Sequence, residues 1–390
     1  MMRPLLAATG LVLLLGGTAA DSSGLGEAMQ WLRDKGDMTG QRDHAWALFA
    51  YLTRGEGKPQ FENWHGEDAL FSGDAVKLRG IAAFSRTSDS GRSPDAPDVP
   101  VLTYTLYNDA AFDHILRYRL NSVAGLKALQ QSGKAAVPAF PAEAMVLKTA
   151  WWPVAKEGLT AMPVWDADNA PLRSGNPYTT WKRAVAVDPA NAPDGVAAIS
   201  FAGKDFAAAH RVGLSRLYHV AVDAPMAHRL MADPVTVKAV TIALGRPLRA
   251  GDYLALVGAN LAAREVPDWI WAAFWWHDRP DAGAFAARRA ATLAPVFRNY
   301  LMQPAFDAEK PLANGAPHIA FDPWLEGRFP DGGHGNGMAS NCMACHSRAS
   351  YPPVAFLPVT RGRPDRHDPA HAKGQLGTSF LWSLAMHAKK

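Results

Sequence analysis

Ala144-Met145-Val146-Leu147-Lys148-Thr149-Ala150-Trp151-Trp152 is the stretch that decides the fold class. Its β-branched and aromatic side chains give it strand composition, and Pro153 reads as its stop. Residues 162–165, 182–187, 217–222 and 253–258 extend the strand pattern along the chain. After Pro267, Trp269-Ile270-Trp271-Ala272-Ala273-Phe274-Trp275-Trp276-His277 reads as a buried strand. Periodicity alone does not separate strand from helix in such an all-apolar run. Between residues 187 and 217 the chain is polar and small, with a helix expected near 206–210. Residues 226–244 read as a helix interrupted at Pro234.

Working upstream, residues 101–107 have strand composition, and Asn108 is placed to cap a helix carrying Phe112, Ile115, Leu116 and Leu120. Residues 85–100, rich in Ser, Asp, Pro and Gly, read as an exposed loop. Phe61-Glu62-Asn63-Trp64-His65 reads as a loop that brings aromatics into the core. Residues 24–55 have helical spacing with a glycine break. Downstream, residues 281–303 are a helix candidate that Pro295 kinks or divides. The chain from 304 onward is rich in Pro and Gly, with a short helix expected over 377–387. The expected class is α+β: a large sheet-rich N-terminal domain over residues 21–303 with flanking helices, and a small, mostly irregular and helical C-terminal segment over 304–390.

The chain of 390 residues is 48% hydrophobic, long enough to bury a sizeable core without disulfides. Its two cysteines lie together in Cys342-Met343-Ala344-Cys345-His346. This is C-x-x-C-H, the attachment signal of a c-type haem. Two thiols at this spacing can each add to one vinyl group of the same porphyrin, and His346 follows as the proximal iron ligand. A thioredoxin-like pair would open a helix after a buried strand, whereas Asp331-Gly332-Gly333-His334-Gly335-Asn336-Gly337 is turn material. A zinc site would need a second cysteine pair, which the chain lacks. A chance match or a simple disulfide is the remaining alternative.

Residues 1–20 read as a secretory signal: Arg3, an apolar core over 5–15, and Thr18-Ala19-Ala20 before the cleavage site. A retained anchor is the alternative. Cleavage after Ala20 and a periplasmic address agree with haem attachment, which takes place outside the bacterial cytoplasm. The formal charge of +4 falls to +3 on cleavage, a balance that does not call for nucleic acid. No later run is long enough to span a membrane without a charge or proline. Residues 346–390 carry seven basic side chains against two acidic ones. They suit haem propionates or an acidic redox partner, and most read equally well as a solvated loop. Nothing in the large domain forms a nucleotide loop, a hydrolase triad signature or an H-E-x-x-H helix.

The motif resembles the cytochrome c attachment site. The wider pattern, with Pro267-Asp268-Trp269-Ile270-Trp271, the haem motif and Phe380-Leu381-Trp382-Ser383, is similar to exported bacterial single-haem cytochrome c family proteins with a large Trp-rich N-terminal part. The resemblance implies one covalent haem c and electron transfer, not a substrate. The chain departs from the small cytochrome c fold, because only 44 residues follow His346 and only four follow Met386. Either 281–303 and 377–388 form a reduced helical pair, or the haem is held against the large domain. In the second arrangement Trp324, Phe329, Phe356, Leu381, Trp382 and Leu384 bridge the two. Met386 is the first candidate for the sixth iron ligand. His387, His371, His367, His334, Met338, His219 and His277 are alternatives. A strong sixth ligand implies an electron carrier. An open position implies a peroxidase-like oxidoreductase, or a haem-based sensor or binding protein.

Overall fold

Residues 19–71, 79–88, 101–167, 177–307, 318–327, 337–339, 341–353 and 374–389 are described by the computed structural model of the chain. Two N-terminal helices come first, α1 (Ala19–Lys35) and α2 (Met38–Thr53). Gly36 ends α1 in the left-handed conformation at φ +61°, and the Asp37 carboxylate then caps α2 by accepting from the Thr39 and Gly40 amides. A short strand β1 (His65–Gly66) and helix α3 (Glu67–Phe71) lead to β2 (Leu102–Tyr107). Asn108 caps α4 (Asp109–Arg117) as expected, with its side chain accepting from Ala111 N. Then follow α5 (Val123–Gln131), β3 (Met145–Val154), β4 (Thr160–Val164), β5 (Arg183–Asp188), β6 (Gly195–Phe201), β7 (Lys204–Gly213) and β8 (His219–Ala221). Helices α6 (Ala224–Met231) and α7 (Pro234–Leu244) meet at the expected proline. The chain continues through β9 (Tyr253–Ala263), β10 (Ile270–Trp276), β11 (Tyr300–Ala305), α8 (Pro323–Glu326), α9 (Cys342–His346), β12 (Ser350–Tyr351), β13 (Leu376–Gly377) and α10 (Trp382–His387).

The class is α+β with a sheet-rich body. The main sheet has seven strands in the order β1-β2-β3-β9-β10-β11, with β8 alongside β9. Its pairings are antiparallel throughout. A four-stranded sheet, β4-β5-β7-β6, stands beside it and contains one parallel pair, β5 with β7. Trp151, Trp152, Trp275 and Trp276 are fully buried. Each such ring removes about 150–250 Å² from water, about 4–6 kcal/mol before chain entropy is counted. On one face of the main sheet α2 sets Phe49 flat against Phe274 at 4.2 Å. Phe61 and Trp64 enter the core from their loop, as expected.

Three expectations are corrected. Pro153 does not stop β3; it pairs with Leu254 of β9. β2 ends at Leu102, opposite Trp151, so β3 has a single neighbour by Pro153 and tolerates a residue without an N–H. Residues 206–210 are not helix but the middle of β7. Ala202 and Gly203, both at positive φ, turn β6 into β7, and β5 supplies the strand on the other side. The alanines of 207–209 favour helix locally, and pairing with β6, joined by β5 from His210 onward, overrides them. Residues 281–303 hold two 3-10 turns, at Ala284–Ala286 and Pro295–Phe297, and then β11. Gly283 and Arg288 at positive φ break the helical path, and β10 offers six residues to pair with. The reduced helical pair considered from sequence is therefore absent. β11 spans residues 300–305, on both sides of the expected boundary at 303.

Two buried clusters pack on this frame. The larger fills the body. The smaller gathers α4, α5, the Cys342–His346 helix and the C-terminal segment over one end of the sheet, through Ile115, Leu126, Phe140, Met343, Leu376 and Leu384. Backbone bonds fasten the C-terminal segment there: Val137 N donates to Gly377 O and Lys389 N to Asn121 O, each at 2.9 Å. No described helix is long and apolar enough to cross a membrane.

Candidate functional site

The motif forms one turn and a half of helix because Asn341 starts it. Asn341 Oδ1 accepts from Met343 N at 2.9 Å, and its Nδ2 donates to His318 O at 3.0 Å and to Asp307 O. Cys342 N donates to Ala320 O at 3.1 Å, so α9 is also tied to the chain that leads into α8. Helical spacing puts Cys342 and Cys345 on one side of α9. The thiols are free of any disulfide. Burial raises the Cys342 thiol well above its ordinary pKa, and it donates to Ala320 O at 3.3 Å.

His346 is mostly buried and lies against the Trp271 ring at 4.4 Å. Its Nδ1 is 2.7 Å from Phe380 O. A carbonyl only accepts, so Nδ1 carries the proton and Nε2 presents a lone pair. Burial lowers the imidazole pKa to about 4, against the Phe380 bond and with help from the Lys148 charge. The ring is therefore neutral at neutral pH, in the form that binds metal.

Beneath the motif the sheet carries a polar row. Thr105, Lys148, Asn260, Ala273 and Gln303 stand opposite one another across five strands. Residues that face each other across a ladder share one face of the sheet. Lys148, Asn260 and Gln303 are partly exposed, whereas every other position of β2, β3, β10 and β11 is buried and so is β9 beyond Tyr253. The row next to it, Tyr107, Val146, Ala262, Trp271 and Ala305, lies wholly in the smaller core with Cys342. The polar row thus runs along the seam between the two cores, and its Lys148 charge acts on His346.

Carboxylates close the far side. Asn260 Nδ2 donates to Glu326 Oε1 at 3.0 Å, and Asp322 N donates to Glu326 Oε2. Asp322 is fully buried over Gly258, where a Cβ would meet its Oδ2 at 2.6 Å; only glycine fits there. Burial first, and the Glu326 charge second, push the Asp322 carboxyl well above the usual range. The buried atoms Asn260 Oδ1, Gln303 Oε1, Trp271 Nε1, Trp275 Nε1, Asp322 Oδ2 and His318 Nε2 have no hydrogen-bond partner among the described residues.

A c-type haem needs two thiols on one side of a helix, an imidazole nitrogen with a free lone pair, and room beside them. The two thiols on α9 and the Nε2 lone pair of His346 fit the first two of these, and the orphaned polar atoms lie along the neighbouring seam. Of the other sequence candidates, Met386 lies on α10 with 45% of its surface exposed. His387 stands 3.7 Å from Glu67, and His277 is held by Asp166. His219 Nδ1 donates to Leu217 O on β8, and Met338 packs against the larger core on a 3-10 turn. His334, His367 and His371 lie outside the described residues, as do Phe329 and Phe356. Trp324 packs with Trp152, Tyr178 and Trp181 in the larger core; Leu381 and Leu384 are in the smaller one, and Trp382 is partly exposed.

Sequence reading missed Lys148, Asn260, Gln303, His318, Asp322 and Glu326. One signal was present: Lys148 is the lone charge in a nine-residue strand run. No family model, curated protein or solved structure matches the chain.

Proposed function

We propose that the chain is an exported, single-haem c-type cytochrome that passes electrons to or from a redox partner. The observation that carries this reading is the state of His346. Its Nδ1–H is spent on Phe380 O, and Nε2 is left as a lone pair one residue after two thiols on the same helix. Cys342 and Cys345 would hold the haem covalently and His346 would be its axial ligand. The group supplies reversible one-electron iron chemistry when bound.

The chain's own residues orient and insulate. Phe380 O fixes the ring plane of His346 and raises its basicity as a ligand. Trp271 and the smaller core keep water from one side of the imidazole. Lys148 places a positive charge next to the site, suited to a carboxylate such as a haem propionate. The basic side chains after His346 suit an acidic partner surface.

The double substitution Cys342→Ala with Cys345→Ala tests the reading. Wild-type chain expressed with the haem attachment machinery is expected to keep haem through a denaturing gel, and the variant to lose all of it. Haem that survives denaturation in the variant, or that never attaches to the wild type, overturns the assignment. The address has its own test. Mature protein is expected in the periplasmic fraction beginning at Asp21, and a membrane-bound form that begins at Met1 would overturn cleavage.

A further inference from the structure

We propose that His318 is the second axial ligand, so that the iron is held between two histidines. The inference rests on the haem reading above and names the residue that completes the site.

His318 brings a second buried imidazole to the segment that anchors α9. It lies close to the Pro304 carbonyl, and its Nε2 is buried with no partner among the described residues. A buried ring nitrogen without a partner costs about 1–3 kcal/mol, which a bond to a metal would recover.

The connection to the motif is direct. Asn341 caps α9 through Oδ1 and holds His318 O through Nδ2, so one side chain positions both the His346 helix and the His318 backbone. Ala320 bridges to Asn341 and accepts from both Cys342 N and Cys342 Sγ. His318 thus enters on a segment already fastened to the attachment helix. Its sequence signal is weak, a lone histidine in Pro- and Gly-rich chain.

Among the described residues, the competing ligands are held for other purposes. His277 and His210 belong to a carboxylate network around Arg183. His44 also has a buried nitrogen without a partner, but it is fixed by Glu265 and Phe306 on α2, away from any bond to α9. Met386 is largely in solvent. Met338 remains the one sulfur ligand within four residues of the motif, and the test includes it.

The full-length protein with haem attached is examined by electron paramagnetic resonance and optical spectroscopy. The wild type is expected to give a low-spin ferric signal of the bis-imidazole type, without the far-red charge-transfer band of a methionine ligand. The reduced protein is expected not to take up carbon monoxide rapidly. His318→Ala is expected to convert the iron to high spin and to open it to carbon monoxide, with added imidazole restoring the low-spin signal. His44→Ala and Met338→Leu are expected to leave the spectrum unchanged. A methionine band in the wild type, a high-spin wild type, or a low-spin signal that persists in His318→Ala overturns the proposal. A wild-type spectrum without two imidazoles overturns the proposal even if His318→Ala does not fold. Failure of the haem reading is seen separately, as a chain without covalent haem on the denaturing gel. Two imidazoles would also set a lower potential than a Met/His pair.

Discussion

Two of the polar regions in this protein are built in opposite ways. Around Arg183 every described charge has its match. The guanidinium bonds Asp166 through two nitrogens and Asp278 through two, while His277 meets Asp166 and His210 meets Asp278. The Asp278 side chain is 0% exposed. This network joins β5 and β7 of the smaller sheet to the end of β10. At the seam beside His346 the polar atoms are instead left over: one amide oxygen on Asn260, one on Gln303, two indole nitrogens and a histidine nitrogen. Amide orientation is fixed in both cases, because Asn260 Nδ2 donates to Glu326 and Gln303 Nε2 to Ile319 O. A closed network holds sheets together. An open set of donors and acceptors, next to a partly exposed row, holds nothing together by itself.

The comparison breaks most visibly at Arg183. Arg183→Met leaves two carboxylates with a buried charge uncompensated and is expected to cost about 3–5 kcal/mol, read from chemical denaturation. A cost below about 1 kcal/mol would show that the network is a surface feature. The pH dependence sharpens the same test. Burial works against ionisation of Asp166, but hydrogen bonds from His277 and Arg183 outweigh it and hold its carboxyl below the usual range. Asp278 is held low in the same way by Arg183. A depressed folded pKa stabilises fully above the unfolded value of about 4 and is lost as pH falls through the folded one. Stability is therefore expected to drop below about pH 4 in the wild type, and this acid limb should flatten in Arg183→Met.

Asn341→Ala is the intermediate case. It removes the cap of α9 and the clamp on His318, with an expected loss of about 1–2 kcal/mol. Far-ultraviolet circular dichroism with thermal unfolding measures it; no change in midpoint would show that α9 is held by its apolar contacts alone. Gln303→Leu should matter least. It gives up one bond to Ile319 O and also removes an oxygen that has no partner, so the chain without haem is expected to change by less than about 1 kcal/mol. A loss as large as that of Arg183→Met would mean that the seam is as tightly satisfied as the network, and would end the contrast.

Much of the body was readable one segment at a time. Asn108 announced α4, Pro234 divided α6 from α7, and the tryptophan run became β10 at full burial. These are local signals, because a cap or a proline acts within one turn and an apolar run excludes water wherever it lies. The errors fell where a partner strand, not the segment itself, set the conformation. Residues 204–213 are strand because β6 pairs with 204–211 and β5 with 210–213, and 300–305 because β10 lies open beside them.

The site divides along the same line. Residue spacing alone determined that Cys342, Cys345 and His346 form a C-x-x-C-H motif; the structure made it a short helix, whose repeat carries three positions through nearly one turn. Composition alone determined the α+β class and the large aromatic core. Only the tertiary structure decided which carbonyl takes the His346 proton, since Phe380 lies 34 residues away. Only strand register aligned Lys148, Asn260 and Gln303, which are scattered over 155 positions of sequence, into one polar row. Register is a property of pairs of strands, and a shift of one residue would turn each of these side chains to the opposite face of the sheet.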